Sequence, residues 1–297
     1  MLTHHHPSPV QPARVVVLGA RGFVASNLVV HLQAARVNVL ALSAADLDLT
    51  SPESADALAT ALRPEDALVF VAALTPDKGK DIATLMKNLE MGRHVSAALA
   101  ASPCAHVVYV STDAVYHDDA SLVDERSPCH PSSFHGVMHV ARERMLIETL
   151  RPSKIPLAIL RPTLLYGAGD THNGYGPNRF LRQALAGKPI PLFGGGEEQR
   201  DYVLVDDVSR LTALVLAHRS EGLLNVATGT SISFGKVAAL ASELSGQPVS
   251  IQPSPRMNPI THRHFDIAET LAAFPTMGFT PLRDGLTVMA ADLRDRT

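Results

Sequence analysis

The feature that most limits how this chain can fold is the regular alternation, from Arg14 onward, of short β-branched runs with longer amphipathic stretches. Arg14-Val15-Val16-Val17-Leu18 predicts a buried strand, and a helix follows from about Phe23 to Ala35. Further strands are expected at Val37 to Leu42, Ala67 to Ala72, His106 to Val110, Pro156 to Leu160 and Leu223 to Ala227. Between them, Asp81 to Ala101 and Ser133 to Leu150 have the length and apolar spacing of helices, the second stopped by Pro152. Strands separated by helices pair in parallel, because each crossover must bring the chain back to the same end of the sheet. The pattern therefore predicts an α/β fold with a doubly wound parallel sheet. After Arg161-Pro162 the texture changes: Gly167-Ala168-Gly169, Gly174, Gly176-Pro177 and Gly194-Gly195-Gly196 break the chain into loops and short elements, as in a smaller C-terminal lobe.

Composition excludes several functional classes. The 297 residues are enough for a large core or for one domain with a lobe attached. A net charge of −3, with acidic and basic residues interspersed, gives no electrostatic footprint for nucleic acid or an anionic membrane. No apolar run is long enough to span a bilayer, and Met1 to Pro12 has no signal-like apolar region. That segment, including His4-His5-His6, is expected to be a disordered leader. The two cysteines, Cys104 and Cys129, form neither a disulfide framework nor a metal-ligand spacing, which fits a cytoplasmic protein.

Gly19-Ala20-Arg21-Gly22-Phe23-Val24-Ala25 sits between the first strand and the first helix. Glycines there permit a tight turn and let backbone N–H groups approach a pyrophosphate at the helix N-terminus. Ala25 stands at the third position of the glycine pattern and is small enough for close helix packing. This motif on the first strand of a βαβ pattern predicts a dinucleotide site. A carboxylate at the end of the second strand would hold the ribose 2′-hydroxyl of NAD, but Ser43 stands there. Arg21 is suited to pair with a 2′-phosphate, so the reading leans to NADP with NAD left open. The expected organisation is a leader over 1–12, a dinucleotide-binding domain over 13–165 with returns near 201–228, and a substrate lobe mainly over 166–297.

Taken together with later segments, the chain resembles the extended short-chain dehydrogenase/reductases, specifically the NAD(P)-dependent epimerase/dehydratase group acting on nucleotide sugars. The resemblance runs from about Arg14 to about Leu293. Its markers stand in family order: the Gly19 loop, Asp48-Leu49-Thr50 beside adenine, Val71-Ala72-Ala73 beside the cofactor, and Asn88. Ser111-Thr112-Asp113-Ala114-Val115-Tyr116, Arg161-Pro162-Thr163-Leu164-Leu165-Tyr166-Gly167 and Gln199-Arg200-Asp201-Tyr202 through Val208 complete the set. The resemblance implies a Rossmann-type domain, a nucleoside-diphosphate sugar as substrate, and a homodimer formed through the Asp81 and Ser133 helices. It further implies that Thr112 touches the reacting sugar oxygen, that Asp113 stands where dehydratases keep an acid, and that Pro162 lies beside the cofactor. By the same route Arg200 and Arg256 form a diphosphate clamp, and Thr75, Asn178 and Phe180 belong to the sugar-facing wall.

One marker is replaced. The family's helix carries Tyr-x-x-x-Lys, in which the phenolate moves the substrate proton while the lysine lowers the phenol pKa and holds the nicotinamide ribose. Here Pro131-Ser132-Ser133-Phe134-His135-Gly136 fixes the alignment, so His135 stands for the tyrosine and His139 for the lysine. Three readings compete. His135 handles the proton with a pKa within about one unit of 6.5 while His139 bonds the ribose; redox catalysis is lost and the protein binds cofactor or sugar nucleotide as a sensor or assembly partner; or the two histidines, with His130, hold a metal. The first is favoured because the cofactor loop, Thr112 and the arginines persist, and no metal is expected.

Overall fold

A computed structural model describes residues 2–256 and 259–295. In chain order the first part comprises β1 (Thr3–His4), β2 (Arg14–Leu18), α1 (Phe23–Ala34), β3 (Val39–Leu42), α2 (Ser54–Ala61), β4 (Asp66–Phe70), α3 (Ile82–Ala101), β5 (His106–Val110), β6 (Leu122–Val123), α4 (Phe134–Leu150) and β7 (Leu157–Pro162). The remainder comprises β8 (Leu164–Tyr166), α5 (Pro177–Leu185), β9 (Ile190–Phe193), β10 (Gln199–Leu204), α6 (Val205–Ala217), β11 (Ser220–Val226), β12 (Ser231–Ser233), α7 (Phe234–Ser245), β13 (Ile251–Ser254), β14 (His264–Phe265), α8 (Ala268–Ala273) and α9 (Leu282–Asp295).

The central sheet has the order β3-β2-β4-β5-β7-β11-β1, parallel throughout except for β1. Alternate residues of each strand feed opposite faces. Val15, Val17, Val69, Val108 and Leu160 pack on α1 and α6, while Val16, Leu68, Phe70, Tyr109 and Ile159 pack on α2, α3 and α4. This two-sided burial is why the strands read as unbroken apolar runs rather than alternating ones. From β2 the sheet grows to β3 on one side and to β4 on the other, so the topological switch lies at the carboxyl ends of β2 and β4. A crevice is forced there because the chain leaves the two strands in opposite directions.

Two expectations are corrected. Met1 lies outside the described residues, but residues 2–12 are not a disordered leader: Thr3 and His4 pair with Glu221 and Ser220, and the His4 ring bonds the Ser220 hydroxyl at 2.8 Å and the Ala273 carbonyl at 2.9 Å. Leu2 is buried, and Val10 N–H donates to Ala217 O. A paired edge and a ring packed on His218 and Phe274 supply contacts that composition alone does not show. In addition, β10 does not return to the central sheet. It pairs with β8 and β12 in a small sheet of the lobe, and only β11 rejoins the main one. Around that small sheet α5, α7 and α9 enclose a separate apolar core.

Candidate active site

The crevice is lined first by backbone. Gly19 ends β2 with φ +89°, and a Cβ built on it would stand 2.8 Å from Ala72 Cα. Only glycine permits both that conformation and that approach. The two strand ends thus form a cradle without side chains, which is what a pyrophosphate at a helix N-terminus requires. Phe23 and Val24 open α1, and the Phe23 ring lies against Gly167 and Gly169 of the lobe. Asn88 reaches from α3 to clasp the Leu74 backbone from both sides, at 2.9 Å each, and so fixes the Ala72–Ala73 segment.

At the end of β3, Ser43 is buried and its hydroxyl donates to the Asp46 carboxylate at 2.6 Å. Asp46 also accepts from Ser43 N–H, and these two bonds, with nearby Arg21, hold its carboxyl below the ordinary range. A carboxylate therefore stands beside the strand end after all, three residues later than the alignment looked for it. Asp48 turns back to cap Thr50, and the Leu49 carbonyl accepts from buried His94.

The β5 end of the crevice is built from side chains. Thr112 follows β5, and its hydroxyl oxygen accepts from Ala114 N–H at 3.2 Å, capping a short 3-10 turn over Asp113–Val115. α4 docks directly beneath: a Cβ on Gly136 would lie 2.1 Å from Ala114 O, so glycine is required for the helix to approach the turn. Ser133 caps α4 through Gly136 N–H, and His135 thereby comes beside the turn that carries Thr112. A buried network locks this arrangement: Glu143 accepts from Ser111 at 2.6 Å and from Arg161 at 2.6 and 2.9 Å, and Arg161 also bonds Tyr116. A cavity of about 460 Å³ opens beside it, lined in part by Leu74, Asn88, Ala114, Phe134 and His135.

His135 and His139 meet edge-on with ring centroids 4.7 Å apart. Burial, reinforced by the Arg142 charge, pushes the His135 imidazole down to about 4, well under the value near 6.5 expected from sequence. His139 is buried and driven well below its ordinary value by the same burial, then by His135 and Arg142. Both rings are thus neutral at physiological pH. His130 packs instead against His117 at 5.2 Å, away from the pair. Among the described residues no group of three or more His, Cys, Asp or Glu side chains is arranged to hold a metal ion.

The expected substrate residues divide. Arg200 spends its donors on Gln199 O and on the carbonyl and hydroxyl of Thr261. Arg256 is instead gripped by both Glu197 and Glu198 and by Phe193 O, which saturates it. Arg263, which the sequence reading missed, comes to Asp113: its guanidinium lies 3.3 Å from the Asp113 carboxylate and donates to His117 O at 2.8 Å. Its backbone N–H donates to Gln199 O, so it stands next to Arg200. Burial pushes the Asp113 carboxyl up, against the pull of Arg263. The signal for Arg263 was present in the sequence only as one more cation near Asp266.

Phe180 is a correction: its side chain is fully buried in the lobe core rather than facing a sugar, because α5 packs that face on α7. Asn178 likewise uses its amide on Gly167 N–H and Asp170, shaping the lobe loop. The Thr75 hydroxyl donates to Asp77, which pairs with His172 of that loop at 3.1 Å. Burial opposes ionisation of Asp77, yet Thr75, Lys78 and His172 hold it at about 2.

The fold is a Rossmann-type architecture of the extended short-chain dehydrogenase kind. Residues 15–227 match the model of the NAD-dependent epimerase/dehydratase family, and the chain belongs to that family. It is 27% identical over 183 residues to an uncharacterized UDP-glucose epimerase of Bacillus subtilis, covering 61% of this chain and 58% of that one. To dTDP-L-rhamnose 4-epimerase of Burkholderia thailandensis it is 30% identical over 163 residues, covering 53% and 44%. The matches thus span about half the length of these curated relatives. Among solved structures, MoeE5 in complex with UDP-glucose and NAD superposes with a TM-score of 0.81 at 25% identity, over 95% of this chain and 99% of that one. UDP-glucose 4-epimerase of Thermus thermophilus with NAD gives 0.84 at 24% identity, over 96% and 100%, a likeness of fold. Among the described residues no helix is long and apolar enough to cross a membrane.

Proposed function

We propose that the protein is an NAD(P)-dependent oxidoreductase that works on a nucleoside-diphosphate sugar, in an epimerase, ketoreductase or dehydratase-like step. The observation that carries this reading is a row of groups: the Gly19–Ala72 cradle, then the turn that Thr112 caps, whose Ala114 lines one cavity with His135, then Asp113 with Arg263 and Arg200. The cradle fits a dinucleotide, since a single Cβ would fill it. When bound, the nicotinamide supplies hydride acceptance and return at a sugar carbon. Gly19, Gly22 and the α1 N-terminus hold the pyrophosphate, with Ala72, Ala73, Asn88, His139 and Pro162 along the rest of the cofactor. Asp46 favours a free 2′-hydroxyl, which tips the nucleotide preference from NADP toward NAD.

Thr112 faces the reacting oxygen, and neutral His135 takes its proton. An imidazole with pKa about 4 is available as a base throughout the physiological range, although its driving force is smaller than at pKa 6.5. That weakness favours one second reading, a slow or silent relative that binds sugar nucleotide as sensor or assembly partner. For the diphosphate, Arg200 and Arg263 replace Arg200 and Arg256, because Arg263 stands next to Arg200 and its pairings with Asp113 at 3.3 Å and Asp118 at 3.7 Å are looser than the two carboxylate contacts that hold Arg256. Dimerisation would bury Ile82 and Met86 of α3 with Phe134 and Val137 of α4, all exposed. Mass spectrometry of the protein purified without added ligand, followed by calorimetry with UDP-, dTDP- and GDP-sugars and both cofactors, tests the proposal. Absence of binding by every sugar nucleotide and both cofactors would overturn it.

A further inference from the structure

The cation that a lysine would have placed on this helix is present one turn further on, and it is fully buried. Arg142 donates from Nε to Asn88 O at 2.8 Å, from Nη1 to Ala72 O at 2.8 Å and from Nη2 to Asn88 Oδ1 at 3.2 Å. Its guanidinium lies over the Phe70 ring, 4.9 Å from the centroid. The molecule makes room for it: a Cβ on Gly92 of α3 would stand 2.9 Å from Arg142 Cγ. These partners are carbonyl oxygens, so its charge is solvated by dipoles and acts on whatever lies near. The Phe70 ring beneath that guanidinium lies 5.3 Å from the Tyr109 ring, so the charge stands near the Tyr109 phenol as well as near His135 and His139.

Tyr109 is 1% exposed, and its hydroxyl stands 2.7 Å from His139 Nδ1. Either partner could donate in principle, but the two cases are unequal. A buried phenol hydrogen left without an acceptor forfeits its hydration, and His139 Nδ1 is the acceptor in reach. Burial keeps the phenol protonated, and the neighbouring guanidinium makes it a stronger donor. The proton therefore lies on oxygen, Nδ1 accepts it, and the ring hydrogen of His139 is left on Nε2.

We infer that Tyr109, polarised by Arg142, is a positioning residue that fixes His139 as a neutral Nε2–H donor, the role a lysine ammonium would otherwise fill toward the nicotinamide ribose. The donor's target rests on the oxidoreductase reading; its tautomer does not. Charge and hydrogen-bond donation, united in one lysine elsewhere, are here divided between Arg142 and His139, with Tyr109 connecting them. His135, edge-on to His139, then meets a neutral ring rather than a second cation.

The test uses protein labelled with ¹⁵N at histidine. Long-range ¹H–¹⁵N correlation spectra between pH 5 and 8, with His139 assigned by its loss in His139→Gln, should show protonated Nε2, unprotonated Nδ1 and no titration. Tyr109→Phe should mix the tautomers and weaken cofactor binding about tenfold, the loss of one hydrogen bond. His139→Gln, which keeps an acceptor for Tyr109 and an N–H donor, should bind cofactor better than His139→Leu. A wild-type Nδ1–H tautomer or imidazolium overturns the inference, as does Tyr109→Phe with an unchanged tautomer. Should Tyr109→Phe fail to fold, the wild-type tautomer and the Gln–Leu comparison still decide. An Nε2–H tautomer in a protein that binds no dinucleotide would leave this inference standing and remove the functional reading.

Discussion

The two ends of the crevice are made of different materials. At the β2 end, a glycine turn and an alanine strand end meet as backbone, with Gly19 tolerating nothing larger than hydrogen against Ala72. At the β5 end the materials are six buried polar side chains: Tyr109 bonds His139, Glu143 holds Ser111 and Arg161, and Arg142 bonds carbonyl oxygens of Ala72 and Asn88. A backbone site accepts any chemistry that fits its shape, whereas a site of coupled side chains changes its chemistry with one substitution. His135 and His139 fall at the second end, and so does Arg142, packed beside Gly92.

The strongest way to break this contrast is Gly19→Val. It asks a β-branched residue to adopt φ +89° with its Cβ 2.8 Å from Ala72, so cofactor affinity should fall more than about 100-fold. Titration calorimetry on folded protein checks it, and unaltered affinity would refute the cradle.

At the other end, His135→Phe should lower turnover by about 100-fold, the usual scale for a lost general base, while leaving dinucleotide affinity within about threefold. The pH profile sharpens the point. The imidazole is depressed to about 4, and only its neutral form accepts a proton, so oxidation should rise with pH through about 4 and be flat from 6 to 8. A rise centred near 6.5 would mean that His135 is solvated and the buried environment has been misread.

Arg263→Ala should weaken UDP-sugar binding by about 2 kcal/mol, a charge-assisted bond with its partner left behind, against less than about 0.5 kcal/mol for Arg256→Ala. Equal losses would restore Arg256 to the clamp, and direct binding assays distinguish the cases. The smallest effect is expected at Asp46→Ala, which should shift the NADP-to-NAD affinity ratio toward NADP by about tenfold. An unchanged ratio would leave the Asp46 carboxylate as a turn cap for Ser43 and nothing more.

Hydrophobic periodicity and glycine placement determined the sheet and its covering helices, because strand burial on two faces and tight strand-to-helix turns leave local traces in residue type. The Gly19 turn and the helices at Asp81 and Ser133 were legible that way, whereas His135 and His139 stood out only against the family resemblance. Tertiary structure alone decided which distant groups met. Thr3–His4 became a strand only because β11 offers an open edge, and Phe180 went to a core because α5 faces α7. Arg256 and Arg263 are equivalent cations in the sequence, yet Glu197 and Glu198 consume the first while Asp113 draws in the second. The pKa of His135 was likewise beyond the sequence: its ordinary value belongs to water, and burial beside Arg142 is a property of three dimensions.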